Sequence, residues 1–242
     1  MAKQRITVCV PPPSAPADPD ALRQAIGEAM APHYYWREDR PHPDWVGEWD
    51  YWFISGSNCP FAVLPDHEDD PRLVRNDEWR PSEEELPRDR CHGGPRALLD
   101  LDTDREAAAD EAAWRWNDWA RFAAGHPPAL PAGPYLDRAY LDPVGYPEER
   151  ARAEYAAQPL IRAFREDPEL RERFPYDPIG FFGPDREAFV ADCVSRVLPT
   201  PALLTLDGRW VEYGGPDYRR EFNACLDALP PETMVVRVLY HS

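Results

Sequence analysis

Proline punctuates this chain so densely that it sets the scale of everything else. There are 30 prolines among 242 residues. Each removes an amide donor and holds φ at about −65°. Regular elements must therefore be short, and many of their ends are marked. Pro11-Pro12-Pro13, Pro32, Pro127-Pro128, Pro199 and Pro230-Pro231 each stop a run that has the period of a strand or a helix.

The runs between them can be read. In residues 5–10, Ile6, Val8 and Val10 alternate with Thr7 and Cys9, as in a strand. Asp18-Pro19 is a cap followed by a first-turn proline, and Leu22, Ala25, Ile26, Ala29 and Met30 then follow helical spacing. Residues 49–55, WDYWFIS, form an aromatic strand ended by Gly56. Near the C-terminus, the apolar run 202–206 and the run 209–213 flank Asp207-Gly208, which predicts a hairpin with a type I′ turn. Gly214-Gly215-Pro216 opens a helix with Tyr218, Phe222, Cys225, Leu226 and Leu229 on one face, and residues 234–240 close as a strand.

Strand–helix–strand at one end and hairpin–helix–strand at the other predict an α+β protein. The expected core is a ferredoxin-like βαβ–βαβ antiparallel sheet, built discontinuously from residues 1–56 and 201–242, with both helices on one side. Strands 5–10 and 202–206 should be central. Residues 57–200 then form a long insertion between the second and third strands, loop-rich first and helical afterwards, packed on the core. Its first part carries Pro60, Pro65, Pro71, Pro81, Pro87 and Pro95 and acidic runs. It reads as irregular surface structure anchored by Phe61, Val63, Leu64, Leu73, Val74 and Trp79. Helices are expected from Thr103 or Asp104 to about Ala124, from Pro147 through Tyr155, after Pro159, and after Pro184.

Composition narrows function more than it defines it. The formal charge is −17, with 44 acidic against 27 basic residues. Non-specific nucleic-acid binding needs basic groups against phosphate, and so does docking on anionic membrane; both are excluded as expectations. The five cysteines, Cys9, Cys59, Cys91, Cys193 and Cys225, include no CxxC pair. That predicts a reducing compartment, and with no long apolar run, a cytoplasmic protein. No cofactor motif is present, and Gly214-Gly215-Pro216 is read as turn chemistry rather than a phosphate loop.

Three sets of residues are candidates for chemistry. Glu212, Arg237 and His241 would serve an enzyme with a pocket between sheet and insertion. Arg237 interrupts an apolar strand, so it predicts either a wet sheet face or a carboxylate partner from the insertion. Trp49, Tyr51, Trp52 and Trp210 form the best binding surface, which Trp116 and Trp119 of the insertion are expected to cover. Cys59, His67, Cys91 and His92 would be the ligands of a zinc-stabilised structural protein, although their spacing fits no established zinc motif.

The succession WDYWFISG at 49–56, ALLDLD at 97–102, QPLIRAF at 158–164, GPDREAFVADC at 183–193, ALLTLDGRW at 202–210 and DYRREFNACLDALPPETMVVRV at 217–238 resembles an uncharacterised protein family of actinobacteria and their phages. The resemblance implies no activity. It implies a Gly-Gly-Arg-Trp after the aromatic strand, a Trp-His-Glu after the hairpin and a terminal Asp-Cys-His. This chain has Ser55-Gly56-Ser57-Asn58, Trp210-Val211-Glu212 and Leu239-Tyr240-His241 there, so a ligand site at those places would be altered. The leading expectation is a non-catalytic protein that binds an unknown protein or small ligand. A homodimer through an open sheet face is a further expectation.

Overall fold

The computed structural model describes residues 3–15, 17–34, 48–55, 59–75 and 86–241. They fall into two compact units, Met1–Arg105 with Ser195–Ser242, and Glu106–Val194. In chain order the elements are β1 (Lys3–Val10), α1 (Pro19–Met30), β2 (Tyr51–Ile54), β3 (Phe61–Val63), β4 (Arg90–Cys91), β5 (Gly93–Pro95), β6 (Leu99–Asp100), α2 (Thr103–Ala123), α3 (Gly133–Leu141), α4 (Glu148–Ala157), α5 (Pro159–Glu166), α6 (Pro168–Arg173), α7 (Pro178–Phe182), α8 (Arg186–Ser195), β7 (Ala202–Leu204), β8 (Trp210–Glu212), α9 (Pro216–Ala228) and β9 (Met234–His241). Gly56 and Trp79 lie outside the described residues.

The first unit is an α+β structure around a sheet of order β2-β9-β1-β7-β8, with β5 also paired to β9. The two ends of the chain zip together over eight positions, from Lys3↔His241 to Val10↔Met234, antiparallel. β1 and β7 are central, as expected. The order nevertheless departs from the ferredoxin-like one. β1 runs parallel to β7, and β2 lies outside β9. β8 occupies the edge of β7 where β2 would have been. A short hairpin loop closes at little entropic cost, so β8 fills that edge before a distant strand can.

The hairpin is not type I′. Among the described residues outside glycine only Asp66 has positive φ, so Asp207 does not. Gly208 donates to the Thr205 carbonyl at 2.9 Å, Thr205 donates to the Arg209 carbonyl at 3.0 Å, and Gly208 sits at φ 82°. This is a turn centred on Leu206-Asp207 followed by a left-handed glycine, the three-residue hairpin with a bulge.

Strand order also decides where the helices go. The connection from β1 to β2 steps past β9, and that from β8 to β9 steps the same way past β7 and β1. The two pairs of strands run in opposite directions. Crossovers of one hand must then lie on opposite faces of the sheet. Burial agrees: Leu22, Ile26 and Met30 of α1 pack on Ile6, Val8, Leu204, Val236 and Val238. Tyr218, Phe222 and Leu226 of α9 pack on Cys9, Leu203 and Val235 of the other face. The expectation of both helices on one side is corrected accordingly. Each fully buried Leu, Ile or Phe contributes about 1.5–3 kcal/mol.

The boundary predicted at residue 57 shifts as well. Residues to Arg105 belong to the first unit, and the stretch expected to be irregular contains short strands. β3, β4 and β6 form a second sheet of order β4-β3-β6. Its Phe61, Val63, Cys91 and Leu99 join α9 over the second face. Among the described residues, helix or sheet thus packs on both faces of the first sheet. The corner bearing Tyr51, Phe53 and Leu239 is partly exposed.

The second unit is helical. Asp-Pro starts recur through the molecule: Asp18 caps α1, Asp167 caps α6 and Asp177 caps α7, each before a proline. Trp119 stacks on Phe182 at 6.1 Å and meets Phe164 and Phe174 edge-on. Trp116 packs against the same cluster. The packing partners of both rings in this cluster belong to their own unit. Tyr155 is buried and donates to Asp177 Oδ1 at 2.9 Å.

Candidate functional site

Arg237 occupies the middle of β9 at a junction of the sheet. Its amide donates to the His92 carbonyl at 2.7 Å, and its carbonyl accepts from Ser55 at 3.0 Å. On that edge of β9, β5 pairs with residues 234–236 and β2 with residues 238–241. The side chain alternates with Val236 and Val238 and so points to the second face, opposite Thr7 of β1.

It is 1% exposed. Among the described residues no carboxylate pairs with Arg237, so the partner expected from the insertion is not found there. The guanidinium instead meets neutral groups. Nη1 donates to Thr7 Oγ1, and Nη2 donates to the Leu198 carbonyl at 2.8 Å. Its Cζ sits 3.9 Å from the Phe61 ring centroid. Thr7 Oγ1 lies 2.9 Å from Thr200 Oγ1, which donates to the Ala202 carbonyl at 2.7 Å. Proton direction is thereby assigned along the chain: Arg237 to Thr7, Thr7 to Thr200, Thr200 to Ala202. Such a chain polarises toward the cation. Nε has no partner among the described residues. Burial lowers the Arg237 pKa from its ordinary value, but arginine starts so high that it stays charged.

A cleft of about 380 Å³ opens beside this group, lined by Cys59, Pro60, Pro87, Arg90, Asp104, Val197, Leu198 and Arg237. Arg90 and Asp104 form a two-armed pair, 2.6 and 2.9 Å, with side chains about a quarter exposed. Cys59 is half-buried. By contrast, burial pushes the Cys91 thiol up to about 11 and that of Cys9 further still, which makes both inert.

The other candidates do not converge. Register puts Glu212 opposite Ala202, on the α1 face, while Arg237 and His241 share the other face. Glu212 has a different neighbour. Burial first, then the charge and hydrogen bond of Glu212, push the Glu48 carboxyl above its ordinary value. His241 Nδ1 lies 2.8 Å from Asp50 Oδ1, and its ring stacks on Tyr51 at 5.0 Å. Of the aromatic surface, Trp49, Trp52 and Trp210 pack on the α1 face, while Tyr51 faces the other way. Trp49 Nε1 donates to the Met30 carbonyl at 2.9 Å, Arg23 covers Trp52 at 4.7 Å, and Trp210 meets Tyr240 edge-on at 5.2 Å. These rings are chiefly structural.

Nor do the metal candidates meet. His67 is exposed, Cys91 and His92 are buried, and Cys59 lines the cleft. No group of three or more His, Cys, Asp or Glu able to hold a metal exists among the described residues. Residues Cys59, Arg90, Asp104 and Leu198 are separated along the chain, and sequence reasoning grouped only Cys59 and Arg237 with any function. The one signal was a charge inside an apolar strand. Among the described residues no helix is long and apolar enough to cross a membrane. In comparisons with known proteins, no family model, curated protein or solved structure matches this chain.

Proposed function

We propose that this chain is a non-catalytic binding protein of a reducing compartment such as the cytoplasm, and that its ligand is a small molecule held in the cleft over Arg237. One observation carries the reading: a fully buried cation with no carboxylate partner among the described residues lines an open cleft. Neighbouring positions of that strand on the same face are Val235 and Leu239, so packing alone calls for an apolar side chain there. A guanidinium held out of water costs several kcal/mol, a burden typical of binding sites rather than cores. The cleft has the size of a small-molecule pocket. The enzymatic alternative has no comparable support, because Glu212 faces away from Arg237 and His241. The acidic surface serves solubility and repels polyanions.

The test is a thermal-shift screen of charged and neutral small molecules on the wild type and on Val197→Trp, which fills the cleft from its half-buried wall. A ligand at 100 times its dissociation constant adds about 2.7 kcal/mol of stability. Concentration-dependent shifts in the wild type that vanish in Val197→Trp are expected. Shifts that survive the substitution would place binding elsewhere and overturn the proposal, as would a screen with none.

A further inference from the structure

We infer that the cleft takes a small oxyanion, the carboxylate or phosphate group of a free molecule, with the Arg237 guanidinium as its counter-ion. The inference rests on the reading of the cleft as the binding site and names the chemistry of what it binds.

A guanidinium has five N–H donors. Among the described residues, two of those on Arg237 have acceptors, Thr7 Oγ1 and the Leu198 carbonyl, and Nε has none. Both acceptors are neutral. The remaining side is closed by the Phe61 ring, which offers a face and no hydrogen-bond acceptor. The site therefore keeps a full positive charge and unused donors in a low-dielectric setting, where an anion is held far more strongly than in water. Planar, forked donors match the oxygens of carboxylate and phosphate.

The rest of the lining is consistent with that sign. Arg90 and Asp104 also border the cleft, and they neutralise each other. The Asp104 carboxylate repels an incoming anion, and Arg90 attracts it by a similar amount. Arg237 is left as the uncompensated charge among the lining residues. The chain as a whole carries −17, so this group is opposite in sign to the net charge. At about 380 Å³ the space suits a small metabolite and not a polymer strand.

Cys59 lies in the same lining and reports on it. The experiment alkylates native protein with neutral iodoacetamide and with anionic iodoacetate, and reads each cysteine by peptide mass spectrometry. Cys193, half-buried in the second unit, is the internal reference. In the wild type, iodoacetamide should label Cys59. The ratio of iodoacetate to iodoacetamide rates should exceed that at Cys193 by roughly tenfold, the factor that about 1.4 kcal/mol of attraction gives. Inorganic phosphate or acetate, at ionic strength matched with chloride, should slow Cys59 labelling and not Cys193 labelling. Arg237→Met should lose both effects. Equal ratios at the two cysteines, or protection that persists in Arg237→Met, would overturn the oxyanion and leave the cleft standing. If iodoacetamide reaches Cys59 only in urea, the cleft is closed and both readings fall. Should Arg237→Met not fold, the wild-type comparison of Cys59 with Cys193 decides alone.

Discussion

The chain of hydroxyls behind Arg237 makes a quantitative demand. Thr7 is fully buried in β1. Its oxygen accepts from Arg237 Nη1, and its hydrogen goes to Thr200 Oγ1 at 2.9 Å. Thr7→Val keeps the shape and removes both bonds. The neutral bond to Thr200 is worth about 0.5–1.5 kcal/mol and the bond from a charged donor about 1.5–3 kcal/mol. In the wild-type background, Thr7→Val should therefore cost about 2–4.5 kcal/mol, the sum of the two. In an Arg237→Met background the charged donor is already gone, and the same substitution should cost only the neutral share. The two sites are thus coupled by about 1.5–3 kcal/mol. The measurement is urea unfolding of the four proteins, followed by tryptophan fluorescence and far-ultraviolet circular dichroism, whose transitions must coincide before free energies are compared. Additivity within about 0.5 kcal/mol would mean that Arg237 and Thr7 do not interact. The picture of a buried cation held by oriented dipoles would then be wrong.

Other consequences can be checked in the same way. Gly93 lies where β5 meets β9: a Cβ there would sit 2.4 Å from the Val235 carbonyl oxygen and 2.7 Å from Val236 Cα. Backbone cannot yield as a side chain does, so Gly93→Ala should cost about 3 kcal/mol, the upper end for overpacking; an unchanged urea midpoint would refute the close approach. Glu48 carries a raised pKa. Below the ordinary value of 4.5 folded and unfolded chains both hold the proton. As pH rises past it the unfolded chain ionises first, and stability is lost until the folded group ionises too. Glu48→Gln should therefore raise the melting temperature at neutral pH and do little in acid; the opposite pH trend would refute the upward shift that burial and Glu212 impose on Glu48. In the second unit, Tyr155→Phe removes the bond to Asp177 and should cost about 1.5–3 kcal/mol, read from the unfolding midpoint; no loss would mean the bond contributes nothing.

The Arg237 site was legible in one respect only. A single arginine inside MVVRVLY marks an anomaly, because an apolar strand has no need of a charge. What surrounds it was not legible. The carboxylate expected from the insertion is absent among the described residues, and the stabilising groups are a threonine, a carbonyl and a ring. Thr7, Leu198 and Phe61 lie 230, 39 and 176 positions away, counting from Arg237 itself, and no local pattern links them.

Alternation, caps and proline were enough to locate β1, α1, β7, β8, α9 and β9 and most of the later helices, because those signals act within a few residues of where they are written. Asp-Pro starts a helix wherever it stands, and Ile-x-Val-x-Val lays one face of a strand whatever lies beside it. Strand neighbours, helix faces and the strands β3 to β6 were decided only by the folded molecule. Which edge is free depends on which hairpin closes first in space. Which face a helix covers depends on strand direction and crossover hand together. Runs of two or three residues are too short to carry a period and become strands only when another strand lends them its hydrogen bonds.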